Sequence, residues 1–380
     1  MNGSLRCPDC SLDLELTPRI YRCPTCLGPL CYSLPDRAFP TDHSGARPAS
    51  MWRYLEALPQ LRDPVSLGEF MTPLVPLQVG PHAALAKCEY TLPSGSYKDR
   101  GAALLISWLK EAGVEEAVED SSGNAGAALA AYAARAGLRL KVFCPRTAAA
   151  GKLAQIGLYG AELVRVEGPR PRATAALLEY LETSGSVYAS HLWQPLFLEG
   201  VRTLAYEIAE QLAWQAPECV VCPVGAGSVL LGLHWGFGDL LRAGRIDRLP
   251  RLVAVQAAGT AAVAAAWERG AGRVDPVAAP QPTIAEGIAL PAPVRDRQVL
   301  EALRQSGGAA VTVSEAQIAD GLLHLGRGGF CVEPTSAVVW HGLLEYLRPH
   351  PLPAESRIVL VLTGHGLKAT GQVSDLLGSR

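Results

Sequence analysis

Apolar positions in this chain gather into short runs. VYAS (187–190), CVVC (219–222), RLVAVQA (251–257), KVFCP (141–145), AELVRVE (161–167) and IVLVL (358–362) are the clearest. Runs of that length, apolar at nearly every position, predict strands buried on both faces. Helical stretches separate them. AALAAYAARAG (127–137) has strong helix-forming composition and closes on Gly137, which suits a C-cap. Residues 177–183 and 202–212 read as parts of helices, and so does the alanine-rich stretch 257–266. Short buried strands alternating with helices predict parallel sheets covered on both sides. Residues 34–64 are proline-rich and polar, which predicts a wrapping linker with one short helix near 52–58. Prolines cluster again over 276–293, a long connection, and no internal repeat of fixed period is visible.

The 380 residues suffice for two or three domains and a large core. A formal charge of −2 argues against nucleic acid or a membrane surface as the main partner. No apolar run reaches transmembrane length, and no charged-then-apolar secretory pattern opens the chain, so a soluble cytoplasmic protein is expected. Ten cysteines agree with a reducing compartment. Four of them, Cys7, Cys10, Cys23 and Cys26, form C-x2-C-x12-C-x2-C within residues 1–33. Four thiolates so spaced can surround one tetrahedral zinc at about 2.3 Å, a closed and therefore structural site. Cys219 and Cys222 share the x2 spacing but lie on a buried strand, and with Cys31, Cys88, Cys144 and Cys331 they read as core thiols.

Three segments carry candidate chemistry. SGSYKDRG (94–101) places Lys98 between small residues and the Asp99–Arg100 pair, ahead of an apolar run over 102–109. A lysine can form an imine with an aldehyde cofactor, and pyridoxal 5′-phosphate (PLP) is the commonest such aldehyde. Taken alone, such a lysine reads first as a solvated surface group, and Asp99 and Arg100 are compatible with a plain ion pair or a helix cap. SSGNAG (121–126) stands directly before the alanine-rich helix. VVCPVGAGSVLLG (220–232) reads as strand, glycine turn and helix start, which collects amide N–H groups and a helix dipole into an anion site. A tight connection is the alternative for that turn. A dinucleotide fingerprint is excluded by the missing third glycine, and a P-loop by the missing Gly-Lys-Ser/Thr.

With the chain's last strand, RIVLVLTGHGLKATG, the pattern as a whole resembles the fold-type II PLP-dependent enzymes, the threonine synthase group most closely. PSGSYKDRGA, SSGNAGAALAAYAARAG, PVGAGS, EPTSA (333–337) and TGHGLK (363–368) occur in the family's order, across about residues 65–370. The resemblance implies a tryptophan synthase β-like α/β fold. It divides the chain into a zinc ribbon (1–33), a large PLP-binding domain (34–102 and 206–380) and a small inserted α/β domain (103–205). Some members of the group carry a similar N-terminal zinc ribbon.

Residue by residue, the resemblance makes Lys98 the cofactor-linked lysine and the base for the substrate's Cα proton. Asn124 is expected to bond the cofactor's ring oxygen. Gly225, Ala226, Gly227, Ser228 and Val229 align with its phosphate loop, and Thr363 with its pyridine nitrogen. Ser121 and Ser122 are expected to receive the substrate carboxylate, with Arg100 and Arg202 as guanidinium candidates for a substrate phosphate. Glu333 and His365 have no assigned role, a backbone-bonded turn being the simpler reading of His365.

The chain also departs from the group. Its loop reads GAGSV where GNAGN is usual, and HLWQPLFLEGVRT brings in His191, Trp193 and Gln194 with Arg202 in place of a lysine. Ala369 replaces an aspartate, and TIAEGI (283–288) is closer to the threonine/serine dehydratases. The implied activity is conversion of O-phosphohomoserine and water to threonine and phosphate by a homodimer acting on a small amino-acid substrate. The alternatives are a threonine/serine ammonia-lyase, a β-replacement enzyme such as cysteate synthase, and a non-enzymatic regulator.

Overall fold

The computed structural model describes residues 3–34, 37–39, 47–148 and 150–378. The linker expected over 34–64 lies partly outside the described residues, at 35–36 and 40–46. The chain divides into two compact units, Met1–Phe70 with Lys98–Thr203, and Met71–Tyr97 with Leu204–Arg380. Residues 47–70, which the resemblance placed with the larger domain, cluster with the inserted segment.

The first unit holds two sheets. A small antiparallel one has Ser4–Arg6 between Asp13–Glu15 and Cys31–Ser33. The other is wholly parallel, in the order Glu162–Val166, Arg139–Pro145, Glu116–Glu119, Val187–Tyr188. The helix Lys98–Glu111 buries every residue from Asp99 to Leu109. Such burial all round is what an apolar run without periodicity requires. It crosses the helix Pro195–Val201 at very short range: a Cβ added to Gly200 would lie 2.0 Å from Arg100 O, and one on Gly101 would lie 2.4 Å from the Phe197 ring. The helix Asn124–Ala136 ends as its sequence predicts, with Gly137 left-handed at φ 73°.

The second unit is built on a six-stranded sheet, in the order Ala309–Val313, Arg251–Ala257, Cys219–Pro223, Ile358–Val361, His82–Lys87, Leu74–Val79. Cys219–Pro223 and Ile358–Val361 are buried at every position. The parallel expectation fails at one edge, where Leu74–Val79 runs antiparallel to His82–Lys87. Only two residues, Gly80 and Pro81, join that pair, too few for a parallel crossover. The alanine-rich stretch also differs from its predicted helix: Ala257 completes a strand, Ala258–Thr260 forms a 3-10 turn, and the helix is Ala262–Glu268. The short helix near 52–58 is a 3-10 helix, Met51–Ala57. Cys88, Cys144, Cys219 and Cys222 are buried, but Cys31 is only half-buried, and Cys331, in the connection after the helix Glu315–Arg327, is exposed.

Candidate active site

In the second unit the buried strand Ile358–Val361 delivers Thr363 into a turn that other segments hold by hydrogen bonds. Thr363 is 3% exposed, and its Oγ1 lies 3.1 Å from Ser336 Oγ. Ser336 Oγ also accepts from Gly364 N at 2.9 Å. Tyr97 N donates to Thr363 O (3.0 Å), His365 N donates to Gly95 O (3.0 Å), and Ser96 bridges Gly364. The segment ending at Tyr97 is thereby registered against the Thr363 turn, and Lys98 is the next residue. Tyr97 reaches further: its hydroxyl lies 2.8 Å from Ser228 Oγ, at the start of the helix Ser228–Arg242.

The loop before that helix has the shape an anion needs. Gly227 is its N-cap at φ 85°, and no side chain caps it. The first N–H groups of a helix have no acceptor within it. A Cβ at Gly225 would fall 2.8 Å from Ile288 Cα, so no larger residue fits there. Ala226 is half-buried, while Ser228 and Val229 are buried. Ser96 Oγ is buried without a hydrogen-bond partner. An uncapped helix start, a buried unsatisfied hydroxyl and a buried Thr363 suit a phosphorylated, hydrogen-bonding cofactor. Glu333 N donates to Gly364 O, so that residue anchors the turn. His365 Nδ1 accepts from Leu367 N at 3.1 Å, and burial together with Lys368 pushes its imidazole pKa down.

In the first unit Lys98 is the first residue of its helix, with Nζ 5.6 Å from the centroid of the Phe197 ring. Asn124 likewise opens a helix whose N-cap, Gly123, has no side-chain cap. Gly123 N donates to Ser121 Oγ at 3.3 Å; Ser121 is buried and Ser122 half-buried. The two arginines already have partners. Arg100 is fully buried and its Nη1 donates to Thr203 Oγ1 at 3.0 Å. Arg202 Nε donates to Glu199 Oε1 at 2.9 Å, and the same carboxylate takes a very short bond from Arg37. Sequence reasoning passed over Tyr97 and Glu119. Ser336 stood inside the quoted EPTSA motif, which was the signal for it. Glu119 Oε1 lies 2.6 Å from His191 Nδ1.

The four N-terminal cysteines bring their Sγ atoms within 4.8 Å of one another. Each pair forms the same knuckle. Ser11 N donates to Cys7 O and Leu27 N to Cys23 O, with Ser11 and Leu27 both left-handed at φ 61° and 60°. The Cys26 amide, the largest influence, holds the Cys23 thiol down at about 6, while the neighbouring thiols push those of Cys10 and Cys26 up. A thiolate is the form a metal binds.

Fold and site together define a fold-type II cofactor enzyme, and the chain belongs to the pyridoxal-phosphate dependent enzyme family, whose family model matches residues 65–364. Among curated relatives it is 37% identical to the threonine synthase of Methanocaldococcus jannaschii, over 85% of this chain and 81% of that one. It is 32% identical to the threonine synthase of Methanosarcina acetivorans, over 98% and 94%. Among solved structures, maize serine racemase matches with a TM-score of 0.70 at 20% identity, covering 81% of this chain and 92% of that one. The processed form of threonine deaminase isoform 2 from Solanum lycopersicum matches at 0.68 and 21% identity, covering 81% and 88%.

Proposed function

We propose that this chain converts O-phosphohomoserine and water to threonine and phosphate. The observation that carries this reading is its 32–37% identity, over most of its length, to proteins named threonine synthase. When bound, PLP withdraws electrons from the substrate's Cα and so makes its protons removable. Lys98 would carry the cofactor and move protons at the substrate's Cα and Cβ. Residues 225–229 would hold the cofactor phosphate on their amides, Asn124 its ring oxygen and Thr363 its ring nitrogen. A neutral hydroxyl at Thr363 leaves that nitrogen largely unprotonated, which suits elimination and addition at Cβ and Cγ. Ser121, Ser122 and the amides that follow would receive the substrate carboxylate. Arg100 and Arg202 would address the substrate phosphate while bonded to Thr203 and Glu199.

We also propose a structural zinc on Cys7, Cys10, Cys23 and Cys26, supported by the convergence of their sulfurs. The protein would act as a cytoplasmic homodimer, a state that sedimentation would test; among the described residues no helix is long and apolar enough to cross a membrane.

Two measurements test the activity. Borohydride reduction of the purified protein should fix the cofactor on Lys98, and Lys98→Ala should abolish both the adduct and turnover. Phosphohomoserine should release phosphate and yield threonine faster than threonine is deaminated. If threonine or serine gives a 2-oxo acid while phosphohomoserine gives no phosphate, the chain is an ammonia-lyase.

A further inference from the structure

Glu119 and His191 form a buried acid–base pair in the same unit as Lys98, and none of the roles above uses it. Glu119 ends the strand Glu116–Glu119 and is fully buried; His191 is 6% exposed. Glu119 Oε1 lies 2.6 Å from Nδ1, while Oε2 is buried with no hydrogen-bond partner. The His191 ring meets Phe197 edge-on at 6.1 Å between centroids, and Lys98 Nζ lies 5.6 Å from the same Phe197 ring. One aromatic side chain therefore touches both the pair and the lysine.

The groups facing the pair fix its charge. They are Lys98 on the helix Lys98–Glu111, Arg170 on the helix Arg170–Ser184, the adjacent Asp120, and Tyr188 on the strand Val187–Tyr188. Burial, reinforced by Asp120, holds the Glu119 carboxyl well above its ordinary range. Burial, followed by Lys98 and Arg170, keeps the His191 imidazole well below its own. Both groups are then uncharged, Glu119 O–H donating to Nδ1 and the ring proton sitting on Nε2.

We propose that Glu119 and His191 are a proton-donating relay for the leaving group of the reaction. This rests on the phosphohomoserine reading above. Breaking the Cγ–O bond of a dianionic phosphate ester sends its electron pair to oxygen, and without a proton the product would be a phosphate trianion, a strong base. In the relay Nε2 gives its proton to that oxygen and Nδ1 takes the proton of Glu119. Phosphate leaves as the hydrogen phosphate dianion, the imidazole stays neutral and Glu119 becomes a carboxylate. Lys98, having taken a proton from the substrate carbon, is then an ammonium, so the new negative charge is offset in the same unit.

The test uses the full-length, cofactor-loaded protein. His191→Asn and Glu119→Gln should each lower kcat for phosphate release by roughly 10²–10³-fold, the usual worth of a general acid, with KM changed less than about threefold. Glu119→Gln is the discriminating variant, because its amide N–H still bonds Nδ1 but cannot hand over a proton. Full kcat in Glu119→Gln reduces Glu119 to a positioning role and overturns the relay. 2-Amino-3-butenoate has no leaving group to protonate, and with it both variants should fall less than about tenfold. An equal loss on both substrates also overturns the relay. Independently of turnover, nitrogen-15 histidine spectra of the wild type should show His191 with Nδ1 unprotonated and Nε2 protonated at neutral pH. A doubly protonated ring rejects the mechanism even where the variants fold poorly. A wild type that releases no phosphate rejects the functional reading and the relay together, whereas release untouched by either substitution rejects the relay alone.

Discussion

Lys87→Met should cost more stability than any surface substitution, and the structure says why. Lys87 ends the strand His82–Lys87 with no exposed surface, and its ammonium places one donor on each of three acceptors: Glu207 Oε2 at 2.8 Å, Thr72 O at 2.8 Å and Gln211 Oε1 at 2.9 Å. Methionine fills much the same volume and supplies none of these bonds. Glu207, also fully buried, keeps the Thr72 amide at 3.2 Å but loses its counter-charge. Removing one partner of a buried pair costs about 3–5 kcal/mol, because the other charge stays desolvated. A loss of 3 kcal/mol is a factor of more than about 10² in the folding equilibrium. Replacing both partners, as Lys87→Met with Glu207→Leu, should recover most of that loss, since apolar packing can substitute for a buried ion pair. Urea unfolding followed by tryptophan fluorescence measures both variants. The backbone bond from Leu362 N to Lys87 O survives the substitution, so cofactor absorbance should persist below the unfolding midpoint. A single-variant loss under about 1 kcal/mol, or a double variant no better than the single, would show the reasoning to be wrong.

Gly227→Ala forces an alanine to φ 85° and sets its Cβ 2.4 Å from Val299 Cγ2. The expected cost is about 1–3 kcal/mol, with weaker cofactor binding by equilibrium dialysis; unchanged affinity would count against the anion loop. Glu119→Gln should alter the pH dependence of stability. With its folded carboxyl raised above the ordinary 4.5, the wild type holds this contribution fully below pH 4.5 and loses it as pH climbs toward the raised value. The variant's advantage over wild type should therefore grow with rising pH, and a constant difference would contradict the raised carboxyl. Changing Cys7 and Cys10 together to serine should remove bound zinc and melt the N-terminal sheet by hydrogen exchange while sparing the cofactor spectrum. Loss of turnover equal to that of Lys98→Ala would refute a purely structural metal.

Strands buried on both faces were the most legible part of the fold. RLVAVQA coincides with Arg251–Ala257, because a mostly apolar run announces burial without help from its neighbours. His82–Lys87 escaped notice, since HAALAK has helix-forming composition and becomes a strand only through its partners Leu74–Val79 and Ile358–Val361. The candidate site could be proposed from sequence where the implied chemistry depends on one residue type at a turn or helix start, as at Lys98, Gly225 and Thr363. Sequence was silent on pairs distant along the chain. Neither Tyr97 against Ser228 nor Glu119 against His191 leaves a local trace. Arg100 and Arg202 show a related gap: residue type suggested phosphate donors, and the bonds they make to Thr203 and Glu199 could not be read from spacing.

The placement of Ile358–Val361 has a consequence for how the protein is made. Among the described residues this strand is the last sheet strand in sequence, yet it lies between Cys219–Pro223 and His82–Lys87. A ribosome that has released residues 1–357 has produced two part-sheets, each with an unpaired edge facing the gap where the strand belongs. The turn that registers Tyr97, and with it the position before Lys98, forms only after Thr363 emerges. Cofactor capture by this turn therefore waits until residue 363 has left the ribosome, and nascent chains stalled before residue 358 should recruit chaperones and resist loading with PLP.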